Sequence, residues 1–324
     1  MLIPVLLLLL GFGVLIKGAD FLVNGASSVA KKYGISNLAI GLTVVAFGTS
    51  MPELIVSLLS ALNGKNDASF GNAIGSNNFN LLFILGIAGL IYPLVVQRNT
   101  VKYEVPLSLL AAGLLFLLVN DSLWGGEGAG SLSRIDSIIL LAFFAGFIFY
   151  IYRTMSRNTD LEEGEPIKIY SMPLAIGMVT LGLAMLIGGG QLVVTNALEI
   201  ARAYGLSEKL IGLTILAAGT SLPELATSCV AAYRKNTDIA IGNVVGSNIF
   251  NIFFILGITG VVNPMAYNAA MNFDLYVLMG STVLLLIFMF TLGRRKLDRW
   301  EAAILFGGYI VYTVYLIGLD NGTV

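Results

Sequence analysis

The chain has 324 residues, 57% of them hydrophobic and only 11% charged, with a formal net charge of -1. A soluble domain carries roughly twice that charged fraction, and a near-neutral chain lacks the basic excess that attracts nucleic acid. Histidine is absent and Cys229 is the single cysteine, which excludes an internal disulfide, a thiolate cluster and the commonest transition-metal ligand.

The apolar residues fall in blocks of about 18–25, the length that crosses roughly 30 Å of hydrocarbon as a helix. The pattern predicts an all-α membrane protein of about ten spans, at 2–30, 38–62, 69–93, 103–119, 136–153, 169–200, 209–233, 240–263, 273–292 and 299–318. The first block lacks the basic n-region and cleavage pattern of a signal peptide and reads as a span. Ten spans put both termini on one side. The loops on the opposite side hold Lys31, Lys32, Arg98, Lys102, Arg153, Arg157, Lys168, Arg234, Lys235, Arg294, Arg295, Lys296 and Arg299, against Lys65, Arg134, Arg202 and Lys209 on the terminal side. Cytoplasmic loops are the basic ones, so a cell (inner) membrane protein with both termini extracytoplasmic is expected. An acid-rich connector at 156–168, with Asp160, Glu162, Glu163 and Glu165, is too short for a folded domain. It divides the chain into halves 1–155 and 169–324.

Those halves repeat each other at a separation of 171 residues. Gly48-Thr49-Ser50-Met51-Pro52-Glu53-Leu54 returns as Gly219-Thr220-Ser221-Leu222-Pro223-Glu224-Leu225. Gly71-Asn72 returns as Gly242-Asn243, and Gly75-Ser76-Asn77-Asn78-Phe79-Asn80 as Gly246-Ser247-Asn248-Ile249-Phe250-Asn251. The matched residues are largely the polar ones, so shared apolar composition does not explain them. Five spans per half is an odd number, and the second copy must enter the membrane upside down. Such inverted repeats place an ion site near the midplane, on broken helices where the halves meet.

Glu53 and Glu224 fall well inside the second and seventh spans. A carboxylate at that depth costs about 2.5–3.5 kcal/mol on insertion scales. No basic residue lies at a similar depth, which leaves bound cations to offset the cost. Thr49 and Ser50 lie four and three residues before Glu53, on one helix face, and Thr220 and Ser221 repeat this before Glu224. Asn72, Ser76 and Asn80 share a face at i, i+4 and i+8, as do Asn243, Ser247 and Asn251. Pro52 and Pro223 break the helical hydrogen bonding of their spans. The set is an all-oxygen cage of formal charge -2, suited to hard ions such as sodium and calcium. Ser57 and Ser228 read as packing residues, Asp67 and Asp238 as helix N-caps, and Asp20, matched by Gln191, as outside the site.

The Gly-Thr-Ser-x-Pro-Glu pair, each followed by Gly-Asn and Gly-Ser-Asn, resembles the alpha-repeats of the cation/calcium exchanger superfamily, particularly its prokaryotic sodium/calcium exchangers. The likeness covers essentially the whole chain. It implies that Glu53 and Glu224 are shared calcium and sodium ligands, aided by backbone oxygens of Thr49 and Thr220. It implies that Ser50, Ser76, Ser221 and Ser247 line sodium sites with the Ala46 and Ala217 carbonyls, and that Asn80 and Asn251 border the centre. Some members carry Asp at one of those last two positions. Asparagine at both speaks against potassium co-transport.

The expectation is therefore an antiporter that exchanges sodium for calcium by alternating access, with no cofactor and no obligatory protein partner. Proton-coupled calcium or other cation exchange is the alternative, because buried glutamates also carry protons. An intramembrane hydrolase lacks a nucleophile and base here, and a passive channel would give flux without a counter-ion.

Overall fold

The structure, a computed structural model, describes residues 2–120, 130–154, 168–204, 217–291 and 295–320. The first half contains α1 (Leu2–Tyr33), α2 (Asn37–Thr49), α3 (Met51–Leu62), α4 (Asn66–Ile91), strand β1 (Leu94–Val95), α5 (Thr100–Val119), strand β2 (Ser131–Leu132) and α6 (Arg134–Thr154). The second contains α7 (Met172–Ala203), α8 (Ala217–Gly219), α9 (Leu222–Tyr233), α10 (Thr237–Val262), strand β3 (Met265–Ala266), α11 (Ala269–Phe288), strand β4 (Lys296–Leu297) and α12 (Arg299–Asp320).

Eight of the described helices are long and apolar enough to cross a membrane, and α2 with α3 forms a ninth span bent by 46°. The seventh expected interval, 209–233, begins outside the described residues and is seen from Ala217 as α8 and α9. The expected connector also lies outside them, apart from Lys168.

The bend has a local cause. Ser50 leaves helical geometry at φ -84, ψ 7, and Pro52, at the start of α3, has no N–H to carry the ladder through. Ser221 does the same at φ -89, ψ 8, one residue ahead of α9 and its Pro223. The halves match again further on. Both α4 and α10 widen into a π-helical stretch, at Phe79–Ile84 and Phe250–Leu256. Such stretches inside α-helices are frequent at functional sites.

The two halves are inverted with respect to each other. A methyl on Gly18 would meet the Gly182 carbonyl, one on Gly11 the Gly189 carbonyl, and one on Gly25 the Ala175 carbonyl. Rising numbers on α1 thus face falling numbers on α7, so these first helices of each half run antiparallel in close backbone contact. Small residues permit that approach. The strands also cross between halves: β1 pairs with β4 and β2 with β3, both antiparallel.

Helices α4 and α10 form the centre. Their apolar windows are 72% and 83% buried, against 17–39% for the other six long helices. The periphery exposes large apolar side chains such as Leu6, Leu9, Ile138, Phe149, Val311 and Val314, as a lipid-facing surface requires.

The N-cap expectation for the acids is corrected. Helix α10 is capped by Asn236, whose Oδ1 accepts the Ile239 N–H at 3.2 Å. Asp238 lies inside the first turn and accepts from Gln97 Nε2 at 2.6 Å. Asp67 likewise sits inside α4, where the residue at the cap position is Lys65.

Candidate ion-binding site

The helix breaks bring the sequence-marked residues together, and the pairing is crosswise between halves. Ser50 Oγ donates to Glu224 Oε1 at 2.8 Å, and Ser221 Oγ donates to Glu53 Oε1 at 3.0 Å. Each serine also touches the serine of the opposite half. Ser50 lies 3.0 Å from Ser247 Oγ, and Ser221 lies 3.0 Å from Ser76 Oγ. Ser247 reaches Glu224 Oε1 at 3.4 Å. Both glutamates are 1% exposed and lie within electrostatic reach of each other.

A second layer fixes the backbones. Asn72 Nδ2 donates to the Glu53 carbonyl at 3.1 Å and to Ser57 Oγ at 2.9 Å, and its Oδ1 accepts from Thr220 Oγ1 at 3.3 Å. Asn243 mirrors it, donating to the Glu224 carbonyl at 3.3 Å and Ser228 Oγ at 2.9 Å while accepting from Thr49 Oγ1 at 3.1 Å. Ser57 and Ser228 therefore hold hydrogen bonds in this layer, a role beyond the packing expected of them. The repeat gave the signal, since both asparagines and both serines recur at the same separation.

At the crossing of α4 and α10, Asn80 Nδ2 donates to Asn248 Oδ1 at 3.0 Å and Asn251 Nδ2 to Asn77 Oδ1 at 2.9 Å. Asn77 and Asn248 carried no expected role. The Ala46 carbonyl is engaged by the Ser50 N–H at 3.0 Å and by Thr49 Oγ1 at 3.3 Å. Ala217 opens α8 at the edge of the described residues.

Of the eleven buried side-chain oxygens left without a hydrogen-bond partner among the described residues, four belong to the site residues marked by the repeat. Glu53 Oε2, Glu224 Oε2, Asn80 Oδ1 and Asn251 Oδ1 are buried without a hydrogen-bond partner. Burying polar atoms unpaired is costly, most of all for carboxylates. Two of the four come from each half and each is the other's mate in the 171-residue repeat. No lysine or arginine among the described residues pairs with either glutamate. An all-oxygen set with no donors left over is matched chemically by a hard cation.

Asp20, expected to lie outside the site, pairs with Arg234, whose Nη1 also donates to Asn24 Oδ1 at 2.8 Å. Asn236 Nδ2 donates to Ser27 Oγ at 3.1 Å nearby. These contacts close α1 onto the end of α9. Their repeat-mates do not meet: Gln191 bonds Thr195 on its own helix and Asn63 bonds the Leu59 carbonyl. This latch between α1 and α9 therefore has no hydrogen-bonded counterpart between Gln191 and Asn63.

A family model described as "Sodium/calcium exchanger protein" matches residues 3–153 and 174–318. The CaxA protein of Alkalimonas amylolytica is 38% identical over 98% of this chain and 99% of its own length. The sodium/calcium exchanger MaX1 of Methanosarcina acetivorans is 30% identical over 96% of this chain and 97% of its own. Among solved structures, the sodium-calcium exchanger NCX_Mj soaked with sodium and calcium superposes with a TM-score of 0.82 at 30% identity, covering 96% of this chain and 97% of that one.

Proposed function

Because this chain belongs to the sodium/calcium exchanger protein family and is a multi-pass cation/calcium antiporter, we propose that it exchanges sodium for calcium at the crosswise site of Glu53 and Glu224. One observation carries this reading: the four buried, partnerless oxygens of Glu53, Glu224, Asn80 and Asn251. They supply a formal charge of -2, which one calcium or two sodium ions neutralise.

In this reading both ions compete for the two carboxylates and for backbone oxygens of Thr49 and Thr220. Ser50, Ser76, Ser221 and Ser247, with the Ala46 and Ala217 carbonyls, line the flanking sodium positions. Asn80 and Asn251 close the centre. An ion-free carrier would have to bury two unneutralised carboxylates to change its facing side, which costs several kcal/mol per ion. The return step is therefore blocked until ions of one kind have replaced the other, and that blockage makes the carrier an exchanger. The halves 1–155 and 169–324 act as the two opposed units, in a cell (inner) membrane with both termini outside.

The test is calcium uptake into proteoliposomes under an outward sodium gradient, compared with an outward proton gradient. Sodium-driven uptake lost in Glu53→Gln and in Glu224→Gln is the expected result. Uptake that follows the proton gradient alone assigns the coupling ion to the proton. Wild-type rates in both variants defeat the site.

A further inference from the structure

Asn77 and Asn248 hold a closed ring of hydrogen bonds whose sense is forced by chemistry. Asn77 Nδ2 donates to the Asn248 backbone carbonyl at 3.1 Å, and Asn248 Nδ2 donates to the Asn77 carbonyl at 3.4 Å. A backbone carbonyl only accepts, so the NH2 end of each side chain must face it. The Oδ1 end of Asn77 is thereby turned toward Asn251, and that of Asn248 toward Asn80. An amide oxygen accepts only, so Asn251 and Asn80 must offer it their NH2 ends. Their own oxygens then point away from the ring, where both are partnerless. All four asparagines are 0–1% exposed, so solvent offers no competing partner.

We propose that Asn77 and Asn248 are positioning residues that set the polarity of the ion site, Asn77 acting through Asn251 and Asn248 through Asn80. A primary amide is nearly symmetric in shape, and a half-turn about its last torsion replaces the oxygen by an NH2. Without the ring, Asn80 or Asn251 can present two N–H donors to the cage, which repel a cation. With the ring, only the oxygen end is available. The inference rests on the cage reading above, in which the oxygens of Asn80 and Asn251 face the ion.

The test is a pair of double-mutant cycles read by equilibrium binding of radioactive calcium to purified protein in detergent, which does not depend on turnover. Asn77→Ala should weaken calcium binding about tenfold, the scale of one lost buried hydrogen bond and the donor it misdirects. In an Asn251→Asp background the same substitution should weaken binding by less than about twofold or tighten it, because a carboxylate offers oxygen at both ends and is relieved of the Asn77 oxygen that faces it. In an Asn80→Asp background the tenfold loss should persist, because that side chain is held by Asn248. The mirror cycle, Asn248→Ala with Asn80→Asp, carries the test if Asn77→Ala does not fold.

An equal loss in all three backgrounds makes the residue merely structural and overturns the proposal. So does unchanged binding in folded Asn77→Ala protein. The cage reading is tested separately by Glu53→Gln. Retained calcium binding there sinks that reading, whereas abolished binding together with a failed cycle sinks only the positioning role.

Discussion

Replacing Gly182 by alanine sets a methyl group 2.7 Å from the Leu22 nitrogen and 2.8 Å from the Gly18 oxygen, both backbone atoms of α1. Neither can swing aside as a side-chain tip would, so the two helices must part by several tenths of an ångström along the seam. Overpacking of this kind costs about 1–3 kcal/mol. Alanine also has the better helix propensity, by about 0.8–1.0 kcal/mol. The net expectation at Gly182 is a loss of about 0–2 kcal/mol, against a gain at the control positions. The same helices provide the control. Gly13 on α1 and Gly177 and Gly188 on α7 have nothing within 4 Å of a built methyl, so alanine there keeps the propensity gain alone and should stabilise. Unfolding followed by circular dichroism in mixed micelles, with the variants side by side, reads the difference directly. Gly182→Ala as stable as Gly177→Ala would refute the tight antiparallel seam. Gly18→Ala added to Gly182→Ala should cost less than the sum, because one separation relieves both contacts.

Three further outcomes are expected. Ser50→Ala and Ser221→Ala each remove a donor to the glutamate of the opposite half, a bond to a charged group worth about 1.5–3 kcal/mol. Both should raise the sodium concentration needed for half-maximal calcium uptake by about tenfold or more, and unchanged sodium dependence in both would exclude the crosswise arrangement. Arg234→Ala opens the latch between α1 and α9. The pair is partly exposed, 31% and 22% by side chain, so the effect on overall stability should stay within about 1 kcal/mol. Maleimide labelling of Cys229, the single cysteine and five residues earlier in α9, should nevertheless become faster, and an unchanged rate would mean that the contact does not hold this end closed. Asn72→Ala and Asn243→Ala should impair exchange to similar extents, since they make mirror-related bonds. Impairment in only one of them would contradict an equal structural role for the two halves.

Much of the architecture follows from the sequence alone because its causes are local or periodic. Span positions come from the length of apolar runs, the helix breaks from Ser50-Met51-Pro52 and Ser221-Leu222-Pro223, and the opposed insertion of the halves from an odd number of spans per copy. Helical spacing predicted one face for Thr49, Ser50 and Glu53 and another for Asn72, Ser76 and Asn80, but the chain breaks at Ser50 and turns π-helical from Phe79, so regular periodicity does not carry through either set. Which face meets which partner is a different matter, because periodicity orders residues around one helix and says nothing about the helix beside it. Only the packed structure sends Ser50 to Glu224 rather than to its own neighbour Glu53. The same holds for Asn77, which looked like one more amide until the Asn248 carbonyl fixed which way it points. It holds for Asp238, whose position suggested a cap and whose carboxylate is taken by Gln97 from the other half. Asp20 had no acidic counterpart in the repeat, where Gln191 takes its place, and its partner Arg234 lies 214 residues away. These contacts between oppositely inserted copies join residues 141 to 214 positions apart, and only the packing of the two halves decides which of them meet.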